Sequence, residues 1–137
     1  MLFGYYAEAD EIAELAKIDE DGRLVTFVDQ IEPVPGLVVT EVGGHTPGQA
    51  IVELSTTEGP VLLASDAVHF YEELERTMPF SAVADLPAMY DAYELINDRL
   101  AASGAVLVTG HDTDTVRRFR SLPGEHRAWV GVVGESS

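Results

Sequence analysis

The chain has 137 residues, 46% of them hydrophobic and 23% charged, which suits one modest core and excludes both a disordered segment and two full domains. Its 24 Asp and Glu against 8 Lys and Arg give a net charge of -16, a field that repels phosphate backbones and anionic lipid, so neither nucleic acid nor a membrane surface is expected as a partner. Cysteine is absent, which excludes disulfides and thiolate metal sites and leaves histidine and carboxylate as the strong ligands.

The start of the chain has no basic segment and turns acidic at Glu8, unlike a secretory signal. No apolar stretch approaches the roughly 18 residues of a membrane span, so a soluble, cytoplasmic protein is expected. From Ala7 to Ile18, the spacing of Ile12, Leu15 and Ala16 predicts a short amphipathic helix, ended by the turn residues Asp19 to Gly22. A short strand is expected over Leu24 to Val28. Past Pro33 to Gly36, β-branched residues predict strands over Leu37 to Val42, Ala50 to Leu54 and Val61 to Ala64, joined by tight turns.

Such a meander makes its first and third strands point the same way. A long helix is expected over Leu86 to Ser103, with Gly104 as its C-terminal cap, followed by an apolar strand over Ala105 to Thr109. A strand, crossover helix and strand form a right-handed parallel pair, so this last strand should run beside Val61 to Ala64. Asp112 to Thr115 resembles a helix cap before Val116, and Ala128 to Val133 is a candidate final strand.

Three of these strands run into a metal-ligand type of residue: Leu37 to Gly44 into His45, Val61 to Ser65 into Asp66, and Ala105 to Gly110 into His111. A core needs no such residue where a strand exits, and the topology brings all three to one sheet edge. Each alone has an ordinary alternative. His45 in Gly43-Gly-His-Thr-Pro-Gly-Gln49 reads equally as a surface histidine of a turn, Asp66 as the N-cap of a helix starting at Ala67, and His111 as a strand-end surface histidine.

His69 follows Asp66 by one helical turn, where it either overhangs the same site as a proton donor or substrate hydrogen bonder or is a partly buried helix histidine. His126 reads as solvated, and Glu72, Glu73 and Glu75 as a solvated helix face. The sequence contains no phosphate-binding loop, Gly-x-Ser-x-Gly elbow or basic aromatic patch.

Gly44-His-Thr-Pro-Gly48, Ser65-Asp-Ala-Val-His-Phe-Tyr-Glu-Glu-Leu-Glu75, Met78-Pro-Phe80 and Gly110-His-Asp112 resemble the metallo-β-lactamase superfamily, and within it the N-acyl homoserine lactonases. The resemblance extends from about Asp21 to Pro123. It implies an α/β fold, the C-terminal half of an αββα sandwich with a mixed sheet flanked by helices, and an active site of two zinc ions at the sheet edges. By motif, His45 matches a ligand of one ion, Asp66 the bridging carboxylate and His111 a ligand of the other. His69 stands where the lactonases carry a tyrosine that polarises the substrate carbonyl.

The superfamily's His-x-His-x-Asp-His motif does not occur in the sequence, so residues 1–137 read as a single partial domain without the half that carries most metal ligands. The resemblance implies a metal-dependent hydrolase acting on a small lactone or ester, with quorum quenching as its lactonase role, impaired as an isolated chain. The alternatives are a non-catalytic half-domain that forms a homodimer or pairs with an N-terminal half, and a thioester hydrolase similar to glyoxalase II. An exposed apolar sheet face is expected in either partial form.

Overall fold

A computed structural model describes residues 8–133. Helix α1 (Ala9–Glu20) is followed by strands β1 (Gln30–Val34), β2 (Leu37–Glu41), β3 (Ala50–Thr56) and β4 (Gly59–Ser65). Helices α2 (Tyr71–Arg76) and α3 (Leu86–Ser103) lead to β5 (Val106–Thr109), and α4 (Thr115–Arg118), β6 (Arg120–Ser121), a 3-10 turn at Glu125–Ala128 and β7 (Gly131–Val132) close the described chain. No helix among the described residues is long and apolar enough to cross a membrane.

The main sheet has the order β1-β2-β3-β4-β5. The first three pairings are antiparallel and β4 pairs with β5 in parallel, as expected of a meander followed by a helical crossover. Helix α3 has the expected bounds: Asp85 accepts a hydrogen bond from the Ala88 N–H at 3.1 Å as its N-cap, and Gly104 at φ 66° ends it.

Cross-strand register separates the two faces of the sheet. Glu53 pairs with Leu62 and Leu62 with Leu107, and Glu53 forms an ion pair with Arg99 of α3, so this is the face that α3 covers. There Ile51, Leu62 and Ala64 meet Met89, Tyr93 and Ile96 of α3, with Ala67, Val68 and Leu74 completing the core. Leu37, Val39, Val52, Leu54, Val61, Leu63, Val106 and Val108 share the opposite face by register. None of these eight belongs to the core under α3. Of the eight only Val106 is exposed, Val61 is buried and the other six are half-buried, so the exposed apolar face expected from the sequence is only partly present.

Several local expectations need correction. Leu24 to Val28 is not a strand: Val25 and Val28 are exposed, and Gln30–Val34 takes the place beside β2, with Ile31 paired to Val39. Helix α1 exists over Ala9–Glu20, but it buries no residue, and Ile12 and Leu15 on its apolar stripe are exposed; Ala7 lies outside the described residues. The cap of α4 is Asp114, whose side chain makes no capping bond; the Asp112 carboxylate instead accepts from the Asp114 N–H at 2.8 Å. Ala128 to Val133 contributes only the two-residue β7, paired with β6.

Candidate metal centre

Three connections converge at the edge where β2, β4 and β5 end. The first is the glycine loop after β2. Gly44 is buried at φ 87°, and a Cβ there would lie 2.9 Å from the Met89 Cα, so only glycine lets the loop rest on α3. Its carbonyl accepts from the Ala84 and Asp85 N–H groups, each at 2.9 Å, which ties the loop to the start of that helix. His45 is thereby held over the sheet edge.

The second connection follows β4. Asp66 does not cap a helix, because it forms a turn with Ala67, residues 68–70 are not helical and α2 starts only at Tyr71. The third follows β5. A Cβ on Gly110 would lie 2.6 Å from the Ser65 carbonyl oxygen, so glycine allows the end of β5 to lie directly against the end of β4. Hydrogen bonds from Gly110 N–H to the Val68 carbonyl and from His111 N–H to the His69 carbonyl, both 3.0 Å, zip the second and third connections together. Asp112 adds a third tie by accepting from the Tyr71 N–H at 3.1 Å.

The two oxygens of Asp66 face different histidines. Oδ1 lies 2.8 Å from His111 Nε2, and Oδ2 lies 3.9 Å from His45 Nε2. On His45, Nδ1 is 2.7 Å from the Ala82 carbonyl oxygen; as an acceptor that oxygen fixes the proton on Nδ1 and leaves Nε2 with its lone pair toward Asp66. His69 is not on a helix, since it precedes α2, and it is buried between the other two histidines. Its ring centroid lies 5.0 Å from that of His45 and 5.2 Å from that of His111.

Asp66, His69 and His111 each offer a ligand atom within 4.8 Å of the others. Asp66 and His111 thus come together with His69, while His45 lies outside this group of three and approaches it through Asp66 at 3.9 Å. His126 stays apart, exposed beside Glu125. Burial pushes the His69 pKa below the ordinary histidine value; Glu73 and Asp66 oppose the shift, while His45 and His111 add to it. Burial thus favours the neutral ring, which retains a lone pair.

This donor set fits a divalent ion of the zinc type: imidazole nitrogens, of which His111 Nε2 here donates to Asp66 and would give up that proton to a metal, a two-sided carboxylate and an outer carbonyl that fixes one tautomer. Phe80 borders the cluster, its ring centroid 4.7 Å from that of His69, and Phe70 stands 6.1 Å from Phe80. Both phenyl rings are exposed, which gives the site an apolar rim.

Glu73 is the residue that the sequence placed wrongly. The run Tyr71-Glu-Glu-Leu-Glu75 reads as a solvated face, yet Glu73 is buried while Glu72 and Glu75 are exposed. Its Oε2 accepts from the Tyr93 hydroxyl at 3.1 Å and from the His69 backbone N–H at 3.2 Å. The available signal was its position at the third residue of a helix, where a Glu reaches back to the chain before the helix.

No family model matches the chain. It is 29% identical over 93 residues to an N-acyl homoserine lactonase of a Bacillus species, a match covering 67% of this chain and 37% of that protein. Among solved structures, an N-acyl homoserine lactone hydrolase with N-hexanoyl-L-homoserine at its catalytic metal centre superposes with a TM-score of 0.63 at 26% identity, over 69% of this chain and 38% of the other. The dizinc quorum-quenching lactonase AidC shares the fold with a TM-score of 0.55 at 19% identity, over 80% of this chain and 39% of its own. The chain therefore spans little more than a third of the curated relative's length. Over the shared part it has the metallo-β-lactamase fold and resembles the lactonases, as its motifs imply.

Proposed function

We propose that the chain carries one half of a dinuclear metal-dependent hydrolase that opens lactones. The observation that supports this reading best is the splay of Asp66, one carboxylate oxygen toward His111 and the other toward His45. A carboxylate placed in this way is suited to hold two ions together, with one histidine serving each. Zinc matches the nitrogen and oxygen donors. When bound, such an ion supplies Lewis acidity that activates water and polarises an ester carbonyl.

The chain's own residues do the rest. Ala82 keeps His45 in the tautomer that binds, Gly44 and Gly110 fix how closely the three connections approach, and Phe80 and Phe70 offer an apolar wall to an acyl chain. His69, beside Phe80, either donates a hydrogen bond to the substrate or joins the ligands. Three histidines and one carboxylate are few donors for two hydrolytic ions, so further ligands come from polypeptide beyond these residues.

The test is opening of N-hexanoyl-L-homoserine lactone followed by proton release, with a thioester as the rival substrate, in the complete protein. Lactone opening that is lost in Asp66→Ala and His111→Ala supports the reading. Opening that survives both substitutions contradicts it, and preference for the thioester moves the assignment to the glyoxalase-like alternative.

The apolar sheet face favours a second reading, a half-domain that assembles with a copy of itself or with a separate N-terminal half. Leu37, Val39, Val52, Leu54, Leu63 and Val108 would be buried by such a partner. Light-scattering mass after size exclusion tests it: a stable monomer counts against assembly.

A further inference from the structure

Two buried side-chain polar atoms among the described residues have no hydrogen-bond partner, Nδ1 of His69 and Oε1 of Glu73. Their side chains face each other. Each is only 7% exposed, and His69 Nδ1 lies 3.6 Å from Glu73 Oε2, just beyond hydrogen-bonding distance. The same oxygen, Oε2, accepts from the Tyr93 hydroxyl of α3 and from the His69 N–H, which holds the carboxylate in place.

Capping explains part of this arrangement. Phe70 is the N-cap of α2 and Glu73 its third residue, so the bond from the His69 N–H resembles half of a capping box. A cap needs neither burial nor a tyrosine from another helix, and it gives no reason for the imidazole Nδ1 to face the carboxylate. A buried unpaired group is costly, and here the unpaired His69 Nδ1 lies a few tenths of an ångström short of hydrogen bonding to the Glu73 carboxylate through Oε2.

We propose that Glu73 is a positioning residue for metal binding that acts through His69. Its carboxylate accepts the Nδ1–H of His69, fixes that tautomer and the angle of the ring, and leaves the other ring nitrogen bare beside Asp66 and His111 as a ligand for a divalent cation. His69 is then a metal ligand and not a proton donor, and α3, through Tyr93, sets the geometry of the site. This assignment rests on the metal-site reading above.

The experiment is a double-mutant cycle in the complete protein, with Zn²⁺ affinity read by competition with a chromophoric chelator and Co²⁺ coordination by its visible spectrum. Glu73→Gln keeps the size of the side chain and an oxygen for the cap but removes the charge. It is expected to weaken Zn²⁺ binding about 10–100-fold and shift the Co²⁺ bands. In a His69→Ala background the same substitution should cause no further loss. An equal loss in both backgrounds, or no loss in either, overturns the proposal.

If Glu73→Gln fails to fold, Tyr93→Phe, which removes only the hydroxyl holding the carboxylate, should show the same dependence on His69 with a smaller loss. Zn²⁺ binding unaffected by Asp66→Ala and His111→Ala would overturn the metal-site reading itself. Binding abolished by those two but indifferent to Glu73 and Tyr93 would overturn the Glu73 assignment alone.

Discussion

Gly110→Ala should damage the fold and the site together. The added methyl would lie 2.6 Å from the Ser65 carbonyl oxygen, 2.9 Å from the Ser65 carbonyl carbon and 3.3 Å from Asp66 Oδ1. The obstacle is mostly backbone, which no side-chain rotation relieves, so the ends of β4 and β5 must separate. Overpacking of this kind costs about 1–3 kcal/mol. Separation also strains the bonds from Gly110 N–H to Val68 and from His111 N–H to His69, each worth about 0.5–1.5 kcal/mol. The expected total is about 2–6 kcal/mol, read as a lower denaturation midpoint with unchanged m.

The control is Gly104→Ala. Gly104 also forbids alanine by its left-handed φ of 66°, but nothing lies within 4 Å of its Cβ position, so the cost is conformational only, about 1–2 kcal/mol. Gly104 lies at the far end of β5, and its substitution should leave the Asp66 to His111 geometry and any metal affinity intact. A Gly110→Ala variant within 0.5 kcal/mol of the parent by urea titration, with unchanged metal affinity, would refute the claim that close approach of the two strand ends builds the site.

Other substitutions separate packing from chemistry. Ile96→Ala, at a fully buried α3 position, should cost about 2–5 kcal/mol in chemical denaturation without altering the ligand set. Asp85→Ala removes the α3 N-cap and should cost about 1 kcal/mol, while His45 stays in place because Gly44 is bound by backbone N–H groups. Arg99→Ala leaves Glu53 half-buried without its ion pair and should cost about 1–2 kcal/mol, less in high salt. Added Zn²⁺ at a hundred times its Kd should stabilise the protein by about 2.7 kcal/mol, and a chelator should remove that gain. A melting temperature indifferent to both would count against a native metal site.

The parts of this fold that were legible in the sequence are those specified locally. Helix α3 carries its own Asp85 start and Gly104 stop, and β2 to β4 are β-branched runs separated by turn residues. Short connections and a helical crossover from β4 to β5 then dictated that His45, Asp66 and His111 share an edge. What was not legible depended on partners distant in sequence. Val25 and Val28 look as strand-like as Ile31, but only the segment around Ile31 reaches β2. Glu73 sits in an acidic run whose composition says solvent, and its burial is decided by Tyr93, which α3 brings over it from 20 residues away. The stripe of Ile12 and Leu15 correctly marked a helix, while its implied contact is absent among the described residues.

The central claim, that Asp66 and its three histidines hold metal, is tested most directly by elemental analysis of metal per chain after exhaustive dialysis, in the parent protein and in Asp66→Ala. Near-stoichiometric zinc or another divalent transition metal in the parent, lost in the variant, is the predicted result. A parent that retains no metal, or an Asp66→Ala variant that retains as much as the parent, would contradict the account.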